Sequence, residues 1–251
     1  MDAINWQNRL TIYFAKNMGE FMKKILCVLS IALCGVVMVG CGGGSKKNET
    51  NFNNHLIEIR NNLFAGQDET FYATICTGER EQDYALDGVV NELTPFGIVT
   101  LARLDNEALN AEQYPFTLVV NGENVTGTLE KSPYDNTYSA DIEQVIADDA
   151  TLTLQLVVDG TNFNQDLTNV SKDFVVTKDR AITIACEELS DSIKNISKEE
   201  GSASEAFIKI LKDYSGESNR YYWYVGIISP EGKTSGVLID TNSGDVISKK
   251  V

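Results

Sequence analysis

The side chains able to do chemistry in this chain are unevenly supplied: 5 cysteines, 1 histidine and 36 carboxylates among 251 residues. A hydrolytic nucleophile needs a base beside it, and His55 alone completes no convincing Ser-His-Asp or Cys-His set. No cysteines or histidines fall at zinc spacing, and no phosphate loop or dinucleotide fingerprint is present, so no metal and no cofactor are expected. The acids come as neighbours, Asp148-Asp149, Glu187-Glu188 and Glu199-Glu200, which reads as solvated surface rather than as an acid–base pair. Asp240-Thr241-Asn242-Ser243-Gly244-Asp245 offers oxygens in the manner of a calcium loop. Its glycine is one place early, however, and the position that needs a bidentate glutamate is Val251, so a β-turn is the better reading. Tyr221-Tyr222-Trp223-Tyr224 is the most distinctive run. On a strand, Tyr221 and Trp223 face one way and Tyr222 and Tyr224 the other. One pair belongs in a core. The other either packs in the sheet or forms an aromatic patch for a peptide or glycan, so these four are the candidate partner-binding residues. Nothing in this inventory makes an enzyme, and an envelope enzyme of unknown type is the disfavoured alternative.

One thiol stands in a different context. From Met22 the chain reads Met-Lys-Lys, then Ile25 to Val39 almost wholly apolar, then Gly40-Cys41-Gly-Gly-Gly-Ser. A charged start, a short apolar run and a small residue before the cut define a secretory signal. The run of about 16 residues is shorter than the roughly 20 needed for a membrane-spanning helix. Met38-Val39-Gly40-Cys41 resembles the lipobox of bacterial lipoproteins, with methionine where leucine is commoner. That resemblance implies a signal peptide over 22–40, cleavage between Gly40 and Cys41, and acylation of the Cys41 thiol by palmitate-type chains. Two chains are enough for stable anchoring. The alternative, an uncleaved anchor helix, would be broken by Gly42-Gly43-Gly44 where it should exit. Residues 1–21 fit neither plan. Gly19-Glu20 is encoded by a purine-rich stretch shortly before the Met22 codon, much like a ribosome-binding site, so translation is expected to begin at Met22.

The charge points the same way. The whole chain carries -15, and the first 40 residues hold four basic groups (Arg9, Lys16, Lys23, Lys24) against two acidic (Asp2, Glu20), leaving -17 beyond them. Such a field repels nucleic acid and anionic headgroups, so a membrane is expected to be reached only through the Cys41 lipid, and a protein or peptide partner with cationic groups, or divalent ions, are left open. Only Cys76 and Cys186 lie in the folded part, too few for a disulfide scaffold. Two buried free thiols are favoured over a single bridge.

The elements that would carry these residues follow from periodicity. Residues 41–50 read as a lipidated cysteine and flexible tether. Phe52, Leu56, Ile59 and Leu63 make one apolar stripe, predicting an amphipathic helix over 51–66. Over 67–171 the period changes to two: Phe71, Ala73 and Ile75 alternate with polar neighbours, and Leu152, Leu154, Leu156 and Val158 share one face. Phe116 to Val120 and Val125 to Lys131 flank Asn121-Gly122-Glu123-Asn124, which reads as a hairpin loop, and Asp159-Gly160 turns the chain. About seven strands in about 100 residues predict an antiparallel β-sandwich of immunoglobulin-like type. Thr177 caps a helix striped by Ile182, Ala185, Cys186, Leu189, Ile193 and Ile196. Ser202-x-x-Glu205 has the form of a capping box, with Phe207, Ile210, Leu211 and Tyr214 predicting a second helix, and strands follow.

Val176-Thr177-Lys178-Asp179-Arg180-Ala181-Ile182, followed by a hairpin and an ending of Val237-Leu238-Ile239-Asp240-Thr241-Asn242-Ser243-Gly244-Asp245-Val246-Ile247, resembles the PepSY domain over roughly residues 173–251. PepSY domains occur in peptidase propeptides and surface proteins. The resemblance implies a regulatory or inhibitory module acting on a secreted peptidase, without catalysis of its own. The chain as a whole therefore reads as a mixed fold, a β-sandwich followed by a small α+β PepSY-like unit over 172–251, in a lipid-anchored extracytoplasmic binding protein.

Overall fold

The computed structural model describes residues 43–82, 87–196, 204–213 and 220–251. Gly40, Cys41 and the leader of 22–40 lie outside the described residues, as do residues 1–21, whose start site is in question, and residues 197–203. A helix α1 (Gly43–Asn53) leads into β1 (Leu56–Gln67), followed by β2 (Phe71–Glu81), β3 (Leu93–Arg103), β4 (Gln113–Val120), β5 (Glu123–Lys131), β6 (Tyr138–Ile142), β7 (Leu152–Val158) and β8 (Thr161–Asn169). A 3-10 turn (Val170–Asp173), α2 (Lys178–Glu188) and α3 (Ser190–Ile196) then precede β9 (Glu205–Lys212), β10 (Tyr221–Ile228), β11 (Thr234–Asp240) and β12 (Val246–Lys250). No helix among the described residues is long and apolar enough to cross a membrane.

The sandwich expectation is overturned. The strand order β1-β2-β3-β6-β5-β4-β7-β8 closes on itself through a β1–β8 pairing, so eight antiparallel strands form a barrel. The miss has one cause. Leu56–Gln67 is a strand, not the helix expected over 51–66, and it supplies the eighth stave that a count of seven lacked. Register irregularities in β1, between Leu56 and Glu58 and between Arg60 and Asn62, interrupt its alternation. Leu56, Ile59 and Leu63 thereby reach the same core, which gives a strand the apolar spacing of a helix. The residues expected to be a tether begin the α1 helix instead, and Phe52 on that helix is fully buried.

The separate PepSY-like unit is overturned as well. Strand β9 pairs in parallel with the first half of β1, and β10, β11 and β12 follow in antiparallel order, so barrel and C-terminal strands form one 12-stranded sheet. The second helix expected from Ser202-x-x-Glu205 is strand β9. Ala206, Ile208 and Ile210 face the helices while Phe207 joins a core on the opposite face. A strand buried on both faces reads as a nearly continuous apolar run and loses its period-two signature. Helix α2 keeps its expected start: Thr177 Oγ1 accepts from Arg180 N at 3.3 Å. Helices α1, α2 and α3 cover one face of the C-terminal strands with Phe52, Ala181, Ile182, Ala185, Leu189 and Ile193, all buried.

Both turns fall where they are expected, the first shorter by two residues because Glu123 and Asn124 already belong to β5. Asn121-Gly122 (φ 50° and 91°) and Asp159-Gly160 (φ 48° and 85°) are two-residue left-handed turns joining β4 to β5 and β7 to β8.

Candidate functional site

A closed barrel invites a ligand inside, but this interior is solid. Phe64, Phe71, Leu101, Phe116, Leu129, Tyr138, Leu154 and Phe163 fill it, each at most 3% exposed. Eight staves give an interior just wide enough for side chains. The segment between β3 and β4 plugs one end: Leu109 is buried, Tyr138 Oη donates to Ala111 O at 2.6 Å, and Tyr114 Oη donates to Asp159 Oδ1 at 2.6 Å. Burial pushes the Tyr138 hydroxyl up to about 12, so it stays a neutral donor.

The aromatic run on β10 is buried throughout. Tyr221 (8% exposed) and Trp223 (2%) join the core under the helices, and Tyr222 (5%) and Tyr224 (4%) join the core on the other face with Phe207, Ile228 and Leu238. Trp223 Nε1 donates to Val176 O at 2.7 Å, and Tyr72 Oη meets Tyr221 Oη at 3.1 Å. The alternation read from sequence is correct. The solvent-facing patch that it left open is not formed, because the side chains on both faces of β10 are buried. His55 closes the α1–β1 turn, with Nδ1 at 3.0 Å from Ser204 O. Cys76 and Cys186 are free and buried in the same core, and burial pushes their thiols up to about 11 and about 12. Asp240 Oδ1 accepts from Asn242 N and Ser243 N at 2.8 and 2.9 Å, and Gly244 (φ 78°) completes the expected turn.

A charge cluster that sequence reasoning missed lies where the barrel meets the C-terminal strands. Glu58 on β1 pairs with Arg60 on the same strand and with Lys209 Nζ of β9 at 2.7 Å, and all three are buried. Burial alone would raise the Glu58 carboxyl, but the Arg60 and Lys209 charges override it and hold it at about 2. Burial pushes the Lys209 amine down to about 8 against the pull of Glu58. Arg60 and Arg80 lie over the Phe96 ring at 5.6 and 4.2 Å, and Arg80 reaches Asp141 at 3.2 Å. These side chains tie β9, β1, β2, β3 and β6 together. With side-chain exposures of 2% for Glu58 and 5% for Lys209, the cluster acts as a clamp on the sheet rather than as a site that meets a substrate. A sequence signal existed: Glu58 and Arg60 are two opposite charges interleaved with Leu56, Ile57 and Ile59 at the start of β1.

The accessible surface of interest is on the outside of β5-β4-β7-β8. Thr117, Thr126, Gln155, Asn162 and Asn164, with Pro115 and Val157, line a shallow depression of about 750 Å³. None of these carries a charge, although the chain has 36 acidic residues. Hydroxyls and amides there can donate and accept toward a polar, uncharged surface. Among the described residues no group of three or more His, Cys, Asp or Glu side chains could hold a metal ion.

No family model matches the chain, and no curated protein matches it. The described residues form a plugged eight-stranded barrel extended by four strands that helices cover on one face.

Proposed function

We propose that this chain is a lipoprotein held by Cys41 at the outer face of a bacterial membrane, where it acts as a non-enzymatic binding module for a protein or peptide partner. The observation that carries the anchoring is the run from Met22-Lys23-Lys24 through the apolar Ile25–Val39 to Gly40-Cys41. Two acyl chains on one thiol hold a protein stably where one would exchange. The filled interior supports recognition on the outside of the barrel, since a ligand cannot enter a core packed at side-chain density. The net charge of -15 favours a partner with basic groups and opposes nucleic acid.

The test is phase separation of the protein made in a bacterial host. The wild-type chain partitions into detergent, and Cys41→Ser, which cannot form the thioether, partitions into water. Equal partitioning of the two would refute the anchor.

A further inference from the structure

The barrel is closed unevenly. Strand β5 pairs with β6 at only two positions, Glu130↔Ser139 and Lys131↔Tyr138. Continuing that register would set Leu129, Thr128 and Gly127 against Ala140, Asp141 and Ile142, but no such pairs form, so the strands part. On its other side β5 is paired with β4 along its whole length, Glu123 to Glu130. The hydrogen-bond parity of that hairpin is fixed by two contacts at its ends. Asn121 N donates to Thr151 O at 2.9 Å, so odd-numbered amides of β4 point at β7; Lys131 N donates to Glu112 O at 3.0 Å, so odd-numbered amides of β5 point at β4. The N–H and C=O groups of Asn124, Thr126 and Thr128 therefore point away from β4, into the gap. All three residues are exposed.

Proteins ordinarily defend such an edge with lysine, proline, a bulge or a cover. The outer strand β12 conforms, carrying Lys249 and Lys250. From Asn124 to Leu129, β5 reads Asn-Val-Thr-Gly-Thr-Leu, with no charge, no proline and no register irregularity. We propose that this edge of β5 is a docking site for an extended peptide that adds as a further strand beside it, with basic residues at its ends. The occupant follows from the charges around the gap: Glu123 and Glu130 sit at the two ends of the free stretch and Glu143 lies just after the facing strand, while Asp141 on that strand is already paired with Arg80. A second copy of the chain is opposed by the same charges, because two molecules of -15 would meet edge to edge. Backbone pairing supplies the affinity in this mode of recognition, and the flanking charges supply the preference. The inference deepens the binding-module reading and names its partner class; it does not depend on the lipid.

The test uses the full chain in a neutral detergent and the peptide acetyl-Lys-Val-Thr-Val-Thr-Val-Lys-amide. Amide hydrogen exchange is followed at Asn124, Thr126 and Thr128, alongside binding measured by fluorescence anisotropy of the labelled peptide. Saturating peptide slows exchange at those three amides. The same peptide with glutamate ends binds about tenfold more weakly at low salt, and N-methylation of its alternate amides on the edge-facing side abolishes binding. Thr126→Pro removes one outward N–H without touching a β4 bond and weakens binding about fivefold, whereas Thr126→Ala leaves it unchanged. Unchanged exchange at the three amides under saturating peptide overturns the proposal, as does equal binding of the methylated and unmethylated peptides. Neither result bears on the Cys41 anchor, which phase separation tests alone.

Discussion

Replacing Glu58 by glutamine keeps the size of the side chain and removes its charge, taking from the buried Arg60 and Lys209 the carboxylate that pairs with both. Breaking a buried ion pair from one side costs about 3–5 kcal/mol, because the remaining charges stay desolvated. The pH dependence gives an independent figure. In the folded protein the Glu58 carboxyl is held at about 2 against an ordinary 4.5, so folding favours its ionised form by about 3 kcal/mol. For a carboxyl lowered in this way the stabilisation is fully present above pH 4.5 and is lost as the pH falls through 4.5 toward 2. Urea unfolding of wild type and Glu58→Gln at pH 7 should therefore differ by about 3 kcal/mol, and by pH 3 about 2 kcal/mol of that gap should have closed. A difference below about 1 kcal/mol at pH 7, or one that is the same at pH 7 and pH 3, would refute the clamp between β1 and β9.

Lys209→Met removes an amine that burial lowers to about 8; the wild type carries the cost of a buried ammonium below pH 8 and sheds it as the pH rises from 8 toward 10.5. Relative to Lys209→Met, the wild type should gain stability over that range, and parallel urea curves at pH 7.5 and 10 check it. Gly78→Ala places a Cβ 1.7 Å from Ile59 O, a backbone atom that cannot step aside, so the β1–β2 pairing must open; thermal denaturation should show a loss of more than about 3 kcal/mol. Cys76 and Cys186, buried and with thiols raised to about 11 and 12, should resist a thiol reagent at pH 8 in the native protein and react on unfolding in urea, which a colorimetric thiol assay reads directly. The barrel is joined by only two residue pairs at β1–β8 and two at β5–β6, against eleven at β2–β3, so among the ladder-paired amides hydrogen exchange should be fastest at Ala65, Thr168 and Ser139 and slowest along Ala73–Thr77.

How much of this was legible in the sequence depended on how local the signal was. Asn121-Gly122 and Asp159-Gly160 fix their turns through their own backbone preferences, and both hairpins are where the sequence places them. Thr177 and the Asp240 turn are equally local and equally correct. Closure of the barrel is not local. It rests on β1, whose irregular register gives Leu56, Ile59 and Leu63 a helix-like spacing, and on a pairing with β8 more than 100 residues away. The same holds for β9, where burial on both faces erased the alternation that marks a strand. The Tyr221–Tyr224 run was correctly placed on a strand, but whether its second face met water depended on what lies across the sheet, which residue order does not encode. The free edge of β5 depends on a register that stops after two pairs, and it has no counterpart in composition or spacing.

Processing at Cys41 decides where the protein works, and the mass of the mature N-terminal peptide tests it directly. The expected result is a chain beginning at Cys41 and carrying a diacylglyceryl thioether. An N-terminal peptide that retains the apolar Ile25–Val39 run, with an unmodified Cys41 thiol, would contradict it.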